Sequence, residues 1–246
     1  MPRFFVNSSD ISVTGSRTTV SVGGEDAVHI TRVLRMKPGE NVTVCDENGC
    51  EYSTVITETG SEVRLNVISS KRSESEPPYR VTVYQALVKG DRFDTVLQKA
   101  TELGATDFVP LITSRCVVTL EPKEYGKKLE RWRRIVYEAS KQCGRGAVPT
   151  VHEPQRFESA VKDAAESSLP LFCYEGTGTE PLPHLLTDNI PTDVSVIIGP
   201  EGGFSEDEAN YAEEQGMKMT GLGRRILRTE TAAPFVLACI SCKYEL

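Results

Sequence analysis

Apolar and polar positions alternate in short runs through the first seventy residues. Residues 18–22, 41–45, 51–56 and 62–67 each carry this two-residue period, and clusters of Gly, Asn and Asp separate them. Asn48-Gly49 predicts a hairpin turn. Between the first two runs, the apolar positions of residues 26–36 fit a short helix that Pro38-Gly39 ends. Several short strands with one helix predict a small β-barrel over residues 1–70. Residues 71–79 are polar and proline-bearing, and read as a linker between domains.

From residue 80 the period changes. Residues 80–87 form a strand pattern. Phe93, Val96, Leu97, Ala100 and Leu103 then recur at helical spacing up to Gly104. Strand-length apolar runs follow at 108–112, 169–174 and 193–198, with amphipathic helices at 123–144 and 157–166. Ser205-Glu206-Asp207-Glu208 is a capping box opening a helix that ends near Gly216. A short strand at 217–220 and a last helix from Thr231 to about Lys243 complete the pattern. Strands alternating with helices predict an α/β domain over 80–246, with a mostly parallel sheet covered on both faces.

Composition narrows the function classes. No apolar run approaches the roughly 18 residues of a membrane span, and the N-terminal residues lack a secretory pattern, so a cytosolic protein is expected. Seven scattered cysteines make no disulfide framework, and Cys239-Ile240-Ser241-Cys242 lies in an apolar helix pattern, so no metal site is expected. The net charge of −7 is unevenly spread. Residues 1–70 carry 6 basic and 9 acidic side chains, residues 71–150 carry 15 and 10, and residues 151–246 carry 7 and 16. A polyanion responds to the local field, so the middle segment is where phosphate contacts are expected.

Two loops could carry chemistry. In Ile197-Ile198-Gly199-Pro200-Glu201-Gly202-Gly203-Phe204-Ser205 a buried strand runs into glycines and then a helix start. Ligands of open α/β sheets bind at such strand ends, although a tight turn is the plainer explanation. With Glu201, Glu206, Asp207 and Glu208 crowding the loop, a phosphate-bearing cofactor is disfavoured and a ligand without phosphates, or with positive charge, fits better. The second loop, Gly221-Leu222-Gly223-Arg224-Arg225-Ile226-Leu227-Arg228-Thr229-Glu230-Thr231-Ala232, mixes three arginines with Ile226 and Leu227. These two apolar side chains are expected to be buried in a pocket wall.

This pair of loops, about twenty residues apart, resembles the pair found in RsmE-type ribosomal-RNA methyltransferases of the SPOUT superfamily. Met1-Pro2-Arg3-Phe4-Phe5, His29-Ile30-Thr31-Arg32-Val33-Leu34-Arg35-Met36, Lys89-Gly90-Asp91-Arg92 and Gln98-Lys99-Ala100-Thr101-Glu102-Leu103-Gly104 are similar to further family blocks. So are Ser114-Arg115-Cys116-Val117-Val118 and Glu138-Ala139-Ser140-Lys141-Gln142-Cys143-Gly144-Arg145. Cys116 and Cys143 depart from the serine expected there. Pro234, early in the last helix, is acceptable only in its first turn.

The resemblance implies a PUA-like barrel followed by a SPOUT methyltransferase domain whose C-terminal chain threads a deep trefoil knot. It implies a homodimer and transfer of a methyl group from S-adenosylmethionine to N3 of a uridine in 16S ribosomal RNA, with the small ribosomal subunit as partner. On that basis the cofactor is expected against Tyr174, Glu175, Ile198, Gly199, Pro200, Glu201, Gly202, Gly203, Leu222, Gly223, Arg225, Ile226, Leu227 and Ala232. Arg228 is the candidate for stabilising charge on the uracil carbonyls, with Arg115 and Arg145 behind it. RNA contacts are expected from Arg3, Arg32, Arg35, Arg92, Arg115, Lys127, Arg131, Arg134, Lys141 and Arg145. A non-catalytic assembly factor on the same fold, or a SPOUT enzyme acting on another RNA, remain the alternatives.

Overall fold

The computed structural model describes residues 1–118 and 120–246. The chain divides into two compact units, Met1–Glu76 with Ser140–Val148, and Pro77–Ala139 with Pro149–Leu246.

The first unit contains β1 (Arg3–Val6), β2 (Ile11–Thr14), β3 (Arg17–Val22), α1 (Gly24–Val28), β4 (Asn41–Asp46), β5 (Cys50–Glu58) and β6 (Val63–Arg72). They form a six-stranded half-barrel sheet in the order β1-β4-β5-β6-β3-β2. β1 runs parallel to β4 and the other pairs are antiparallel. Alternating positions supply its core, with Phe4, Val20, Val22, Val42, Val44, Ile56, Val63 and Leu65 packed on Ala27 and Ile30. β4 is buried on both faces, because Arg3 spans Cys45, Glu51 and the carbonyl of Arg145 on its second side. The helix expected over 26–36 is instead α1 followed by one π-helical turn, His29–Val33. β6 runs to Arg72, into the segment expected as linker.

The second unit contains β7 (Arg80–Ala86), α2 (Arg92–Glu102), β8 (Asp107–Ile112), α3 (Pro122–Cys143), β9 (Thr150–Val151), β10 (Gln155–Arg156) and α4 (Phe157–Ala165). β11 (Leu169–Cys173), β12 (Glu180–Pro181), α5 (Leu182–Leu185), β13 (Asp193–Ile198), α6 (Glu206–Glu214), β14 (Lys218–Gly221) and α7 (Thr229–Tyr244) complete it. The last residues of α3, from Ser140, belong to the first unit. The sheet order is β10-β8-β7-β13-β11-β14-β12, with β9 also on β8, and every ladder is parallel. Helices cover both faces, so β8, β11 and β13 are buried almost throughout rather than alternately. Phe157, Phe172 and Phe204 meet edge-on or tilted between β11, α4 and the loop after β13.

Because the strands are parallel, the loops following β7, β8, β11, β13 and β14 emerge at one end of the sheet. After β14 the chain does not continue outward: α7 returns to pack on α2 and β13. α7 starts at Thr229, two residues before the expected start, so Pro234 is its sixth residue rather than part of its first turn. The missing proline N–H is the one that would reach the carbonyl of Glu230.

Candidate functional site

The loop after β13 is shaped by its glycines. A Cβ on Gly199 would stand 3.1 Å from the buried Phe204 ring, so a larger residue here would press on the aromatic core. Gly203 adopts φ +65° and donates its N–H to Pro200 O at 3.0 Å, closing the turn. Ser205 then caps α6: its Oγ accepts from Glu208 N at 3.1 Å, and the Glu208 carboxylate accepts from Ser205 N at 2.9 Å. The other oxygen of this buried carboxylate accepts from Ser114 N at 2.8 Å. One side chain therefore ties the loop after β8 to the loop after β13. That tie sets Arg115 over the glycines, where its guanidinium donates to Gly202 O at 3.0 Å.

The loop after β14 lies beside the first. Thr229, in the first turn of α7, donates its hydroxyl to Gly199 O at 2.7 Å and accepts from Gln85 Nε2 at 2.9 Å. Tyr174 N donates to Thr220 O at 3.0 Å and brings the loop after β11 alongside. Gly223 takes φ +100°. Ile226 is 79% exposed, which overturns the expectation of burial; Leu227 is half-buried. Ile226 is thus a solvent-exposed part of the cavity lining.

The three loops enclose a cavity of about 780 Å³. Tyr174 and Glu175 line it from the loop after β11, Ile198 to Gly203 from the loop after β13, Leu222, Gly223 and Arg225 to Arg228 from the loop after β14, and Ala232 from α7. Thr179, Phe204, Thr229 and Glu230 also line it and were not singled out as ligand contacts by sequence reasoning. Thr229 and Glu230 sat inside the second motif; nothing in the sequence pointed to Thr179. Arg92 and Arg115, expected on RNA, line the same cavity.

Its charges are arranged. Arg92 donates to Glu201 Oε1 at 2.6 Å and lies 4.0 Å from Glu230. Burial alone would raise the Glu201 carboxyl. Its own backbone N–H, that of Lys89 and the Arg92 guanidinium outweigh this and hold it below the usual carboxylate range. Burial pushes the Cys173 thiol up to about 12, so it is a neutral wall. Arg228 precedes α7 in extended conformation, and its carbonyl accepts from Thr231 N at 2.8 Å and Ala232 N at 2.9 Å. Its backbone is thus pinned, while its side chain is exposed at the cavity.

The remaining cationic candidates differ in setting. Lys141 is paired with Asp26 at 3.1 Å and lies over the Phe4 ring, and Arg145 is buried against Glu76. Arg3 is held by Glu51 at 2.9 Å. Arg131 meets Asp94 and Asp91, and it, Arg32, Arg35, Lys127 and Arg134 are all exposed. Cys116 packs by accepting from Thr113 N at 3.4 Å, and Cys143 is exposed. His152 bonds Asp107 at 2.9 Å, on the strand end away from the cavity. Among the described residues no group of three or more His, Cys, Asp or Glu side chains could hold a metal, and no helix is long and apolar enough to cross a membrane.

Residues 75–241 match the family described as RNA methyltransferase domain, and residues 22–67 the family described as RNA methyltransferase PUA domain. Ribosomal RNA small subunit methyltransferase E of Bacillus subtilis (strain 168) is 34% identical, covering 100% of this chain and 98% of that protein. The protein of that name from Aquifex aeolicus is 32% identical over 88% of this chain and 91% of its own length. The crystal structure of ribosomal RNA small subunit methyltransferase E from Neisseria gonorrhoeae, bound to S-adenosyl methionine, shares 31% identity with a TM-score of 0.84, over 99% of this chain and 98% of that one. A Legionella pneumophila structure holding the cofactor SAM shares 31% identity with a TM-score of 0.86, over 98% and 96%. The half-barrel unit, the parallel sheet with its glycine loops and these matches agree: the chain belongs to the RsmE-type family of ribosomal RNA methyltransferases.

Proposed function

We propose that this chain methylates N3 of a uridine in small-subunit ribosomal RNA, using S-adenosylmethionine. The observation that carries the reading is the cavity where three loops meet, walled by glycine backbone and carboxylates and rimmed by Arg228. Backbone N–H and carbonyl groups at Gly199 to Gly203 and Leu222 to Leu227 suit the edges of an adenine, and Ile198, Leu222 and Leu227 suit its faces. Glu201 and Glu230 suit a ligand that carries positive charge and no phosphate. The family-level match to proteins solved with this cofactor supports the same choice.

When bound, S-adenosylmethionine supplies an activated methyl group. The chain's own part is positioning and charge. Uridine N3 carries a proton that must be lost for attack, and the resulting negative charge spreads to the flanking carbonyl oxygens. The Arg228 guanidinium, on a pinned backbone at the cavity rim, stabilises that charge. Thr229 locks the two glycine loops together through Gly199 O and Gln85, keeping the site formed before either substrate arrives. N3 is hidden in a paired uridine, so the target is an unpaired or everted nucleotide.

The return of α7 across β13, with Thr229 bonded to the loop after β13, supports a trefoil knot here. Ile226 at 79% and Phe235 at 39% exposure support a homodimer that covers them, with sedimentation velocity as its check. We place its action in the cytosol, with the ribosome. Deleting the gene should remove one 3-methyluridine from 16S RNA, and the intact gene should restore it. An unchanged nucleoside profile would reject the assignment.

A further inference from the structure

Methyl transfer to uridine N3 requires a group that takes the N3 proton, and Arg228 is not a proton acceptor. The cavity narrows the choice. No histidine lines it among the described residues, and the Cys173 thiol is a neutral wall. The Tyr174 ring packs on its own loop, where a Cβ on Gly176 would stand 2.2 Å from it. Three carboxylates remain, Glu175, Glu201 and Glu230. Glu201 already accepts from Lys89 N at 3.2 Å and from Arg92 at 2.6 Å, and those donors compete with a proton for its oxygens. Glu175 is exposed to solvent on the loop after β11.

Glu230 differs from both. Its side chain is only 22% exposed, and the Arg92 Nε stands 4.0 Å from it. Among the described residues no hydrogen bond engages its carboxylate, and no ion pair joins it to Arg228. Its backbone is fixed. It follows Thr229, whose hydroxyl is bonded to Gly199 O at 2.7 Å, and it sits in the turn that Thr231 N and Ala232 N close on Arg228 O. Arg228 and Glu230 therefore flank one locked residue, and both line the cavity. A guanidinium and a carboxylate with free lone pairs match the imide edge of uracil, whose N3–H donor lies between two carbonyl acceptors. Cytosine has no hydrogen on N3 and carries an amino donor in place of one carbonyl, so it offers the wrong group to each.

We infer that Glu230 is the catalytic base of the methyl transfer and that, with Arg228, it selects uracil over cytosine. The inference rests on the reading that this chain methylates uridine N3. The N3–H proton passes to a Glu230 carboxylate oxygen. The N3 electron pair forms the bond to the methyl carbon, and the electron pair of the bond broken between that carbon and sulfur stays on sulfur. Arg228 meanwhile holds the charge that gathers on the uracil oxygens. One positive and one negative charge, sulfonium and carboxylate, disappear together, which suits a cavity partly shielded from water. Glu230 gives its proton to water once the product has left. Glu201, held by Arg92 and two backbone N–H groups, keeps its charge throughout.

The test uses the full-length protein and small subunits rebuilt on RNA transcribed with uridine or with 5-fluorouridine, whose N3–H is more acidic. E230Q keeps the shape of the side chain, so it should match the parent in chemical denaturation and in cofactor titration. On uridine its kcat should fall about 100-fold or more, the contribution of a positioned base. The deficit should shrink on 5-fluorouridine and as the pH rises, because a target that sheds its own proton needs no base. The charged groups facing Glu230 are Arg92 from α2, Glu201 from the loop after β13 and Arg228; guanidinium groups and an already ionised carboxylate do not titrate over that rise. With the demethylated cofactor bound, the parent should hold subunits bearing uridine at the methylated position more tightly than subunits bearing cytidine there, and E230Q should lose that preference. A parent-like kcat in E230Q, a loss equal on both RNAs and at every pH, or an unchanged preference for uridine would overturn the assignment. So would a fall in cofactor affinity as large as the fall in kcat, which would make Glu230 a cofactor ligand. If the parent itself transfers no methyl group to uridine, it is the underlying reading that fails.

Discussion

At the scale of single residues, the arginines proposed to meet substrate differ in setting from those that hold the fold. Arg228 has a fixed backbone and an exposed side chain at the cavity. Arg228→Ala should lower kcat by about 100-fold or more with cofactor affinity unchanged, the size seen when one donor to a developing oxyanion is removed. Equal losses in kcat and cofactor binding, measured by single turnover and titration, would make Arg228 a cofactor ligand instead. Glu201 is held ionised below the usual carboxylate range, despite burial, by two backbone N–H groups and Arg92. Its contribution to cofactor binding should therefore be complete at neutral pH and fade only as the pH falls through that depressed value. Glu201→Gln should weaken cofactor binding severalfold at neutral pH; unchanged affinity and turnover would remove Glu201 from the site. The sequence named both residues from their loops. It could not pair Glu201 with Arg92, 109 positions away, because spacing carries no information about which loops the topology brings together.

At the scale of elements, periodicity located most strands and helices, since each buries a face that leaves a two- or 3.6-residue trace. It missed β1, β2, α5 and the two-residue strands β9, β10 and β12, which are too short to show a period. It read one helix across 26–36, because a π-turn differs from an α-turn by a single hydrogen-bond offset and leaves the apolar spacing almost unchanged. The expected burial of Ile226 failed for another reason: hydrophobicity favours burial, but spacing within an irregular loop does not fix which side chains turn inward. Glu208 was legible as a capping residue, but its second bond, to Ser114 N, was not. Glu208→Gln should cost about 2 kcal/mol, in the range of buried bonds to a charged group. It should also raise KM for RNA through the loop that carries Arg115. A variant that melts like the parent in chemical denaturation would show that Glu208 contributes only an ordinary cap.

At the scale of the whole molecule, the division into an RNA-methyltransferase PUA-type unit and a parallel α/β unit was legible in the change of period near residue 80. That residues 140–148 belong to the first unit was not. Their sequence reads as the end of a basic helix. In the structure, Lys141 serves Asp26, and Glu76 gathers Arg145 with the N–H groups of Gly146 and Ala147 at 2.8 and 3.2 Å. Part of the positive charge of the middle segment is thus spent inside the first unit. Removing one partner of such a pair strands the other, so Arg145→Ala should destabilise the protein by about 3 kcal/mol. Weakened RNA binding without a fall in melting temperature would return Arg145 to the RNA surface. The alternative of an inert assembly factor fits poorly with a cavity whose loops are locked by Thr229 and whose carboxylates are already oriented.

The most direct test of the central claim is transfer of labelled methyl from S-adenosylmethionine to purified small ribosomal subunits lacking the modification, followed by nucleoside analysis. The account predicts that the label appears in 3-methyluridine and is nearly abolished by Arg228→Ala. Label in a different nucleoside, or no transfer by a protein that still binds the cofactor, would contradict it.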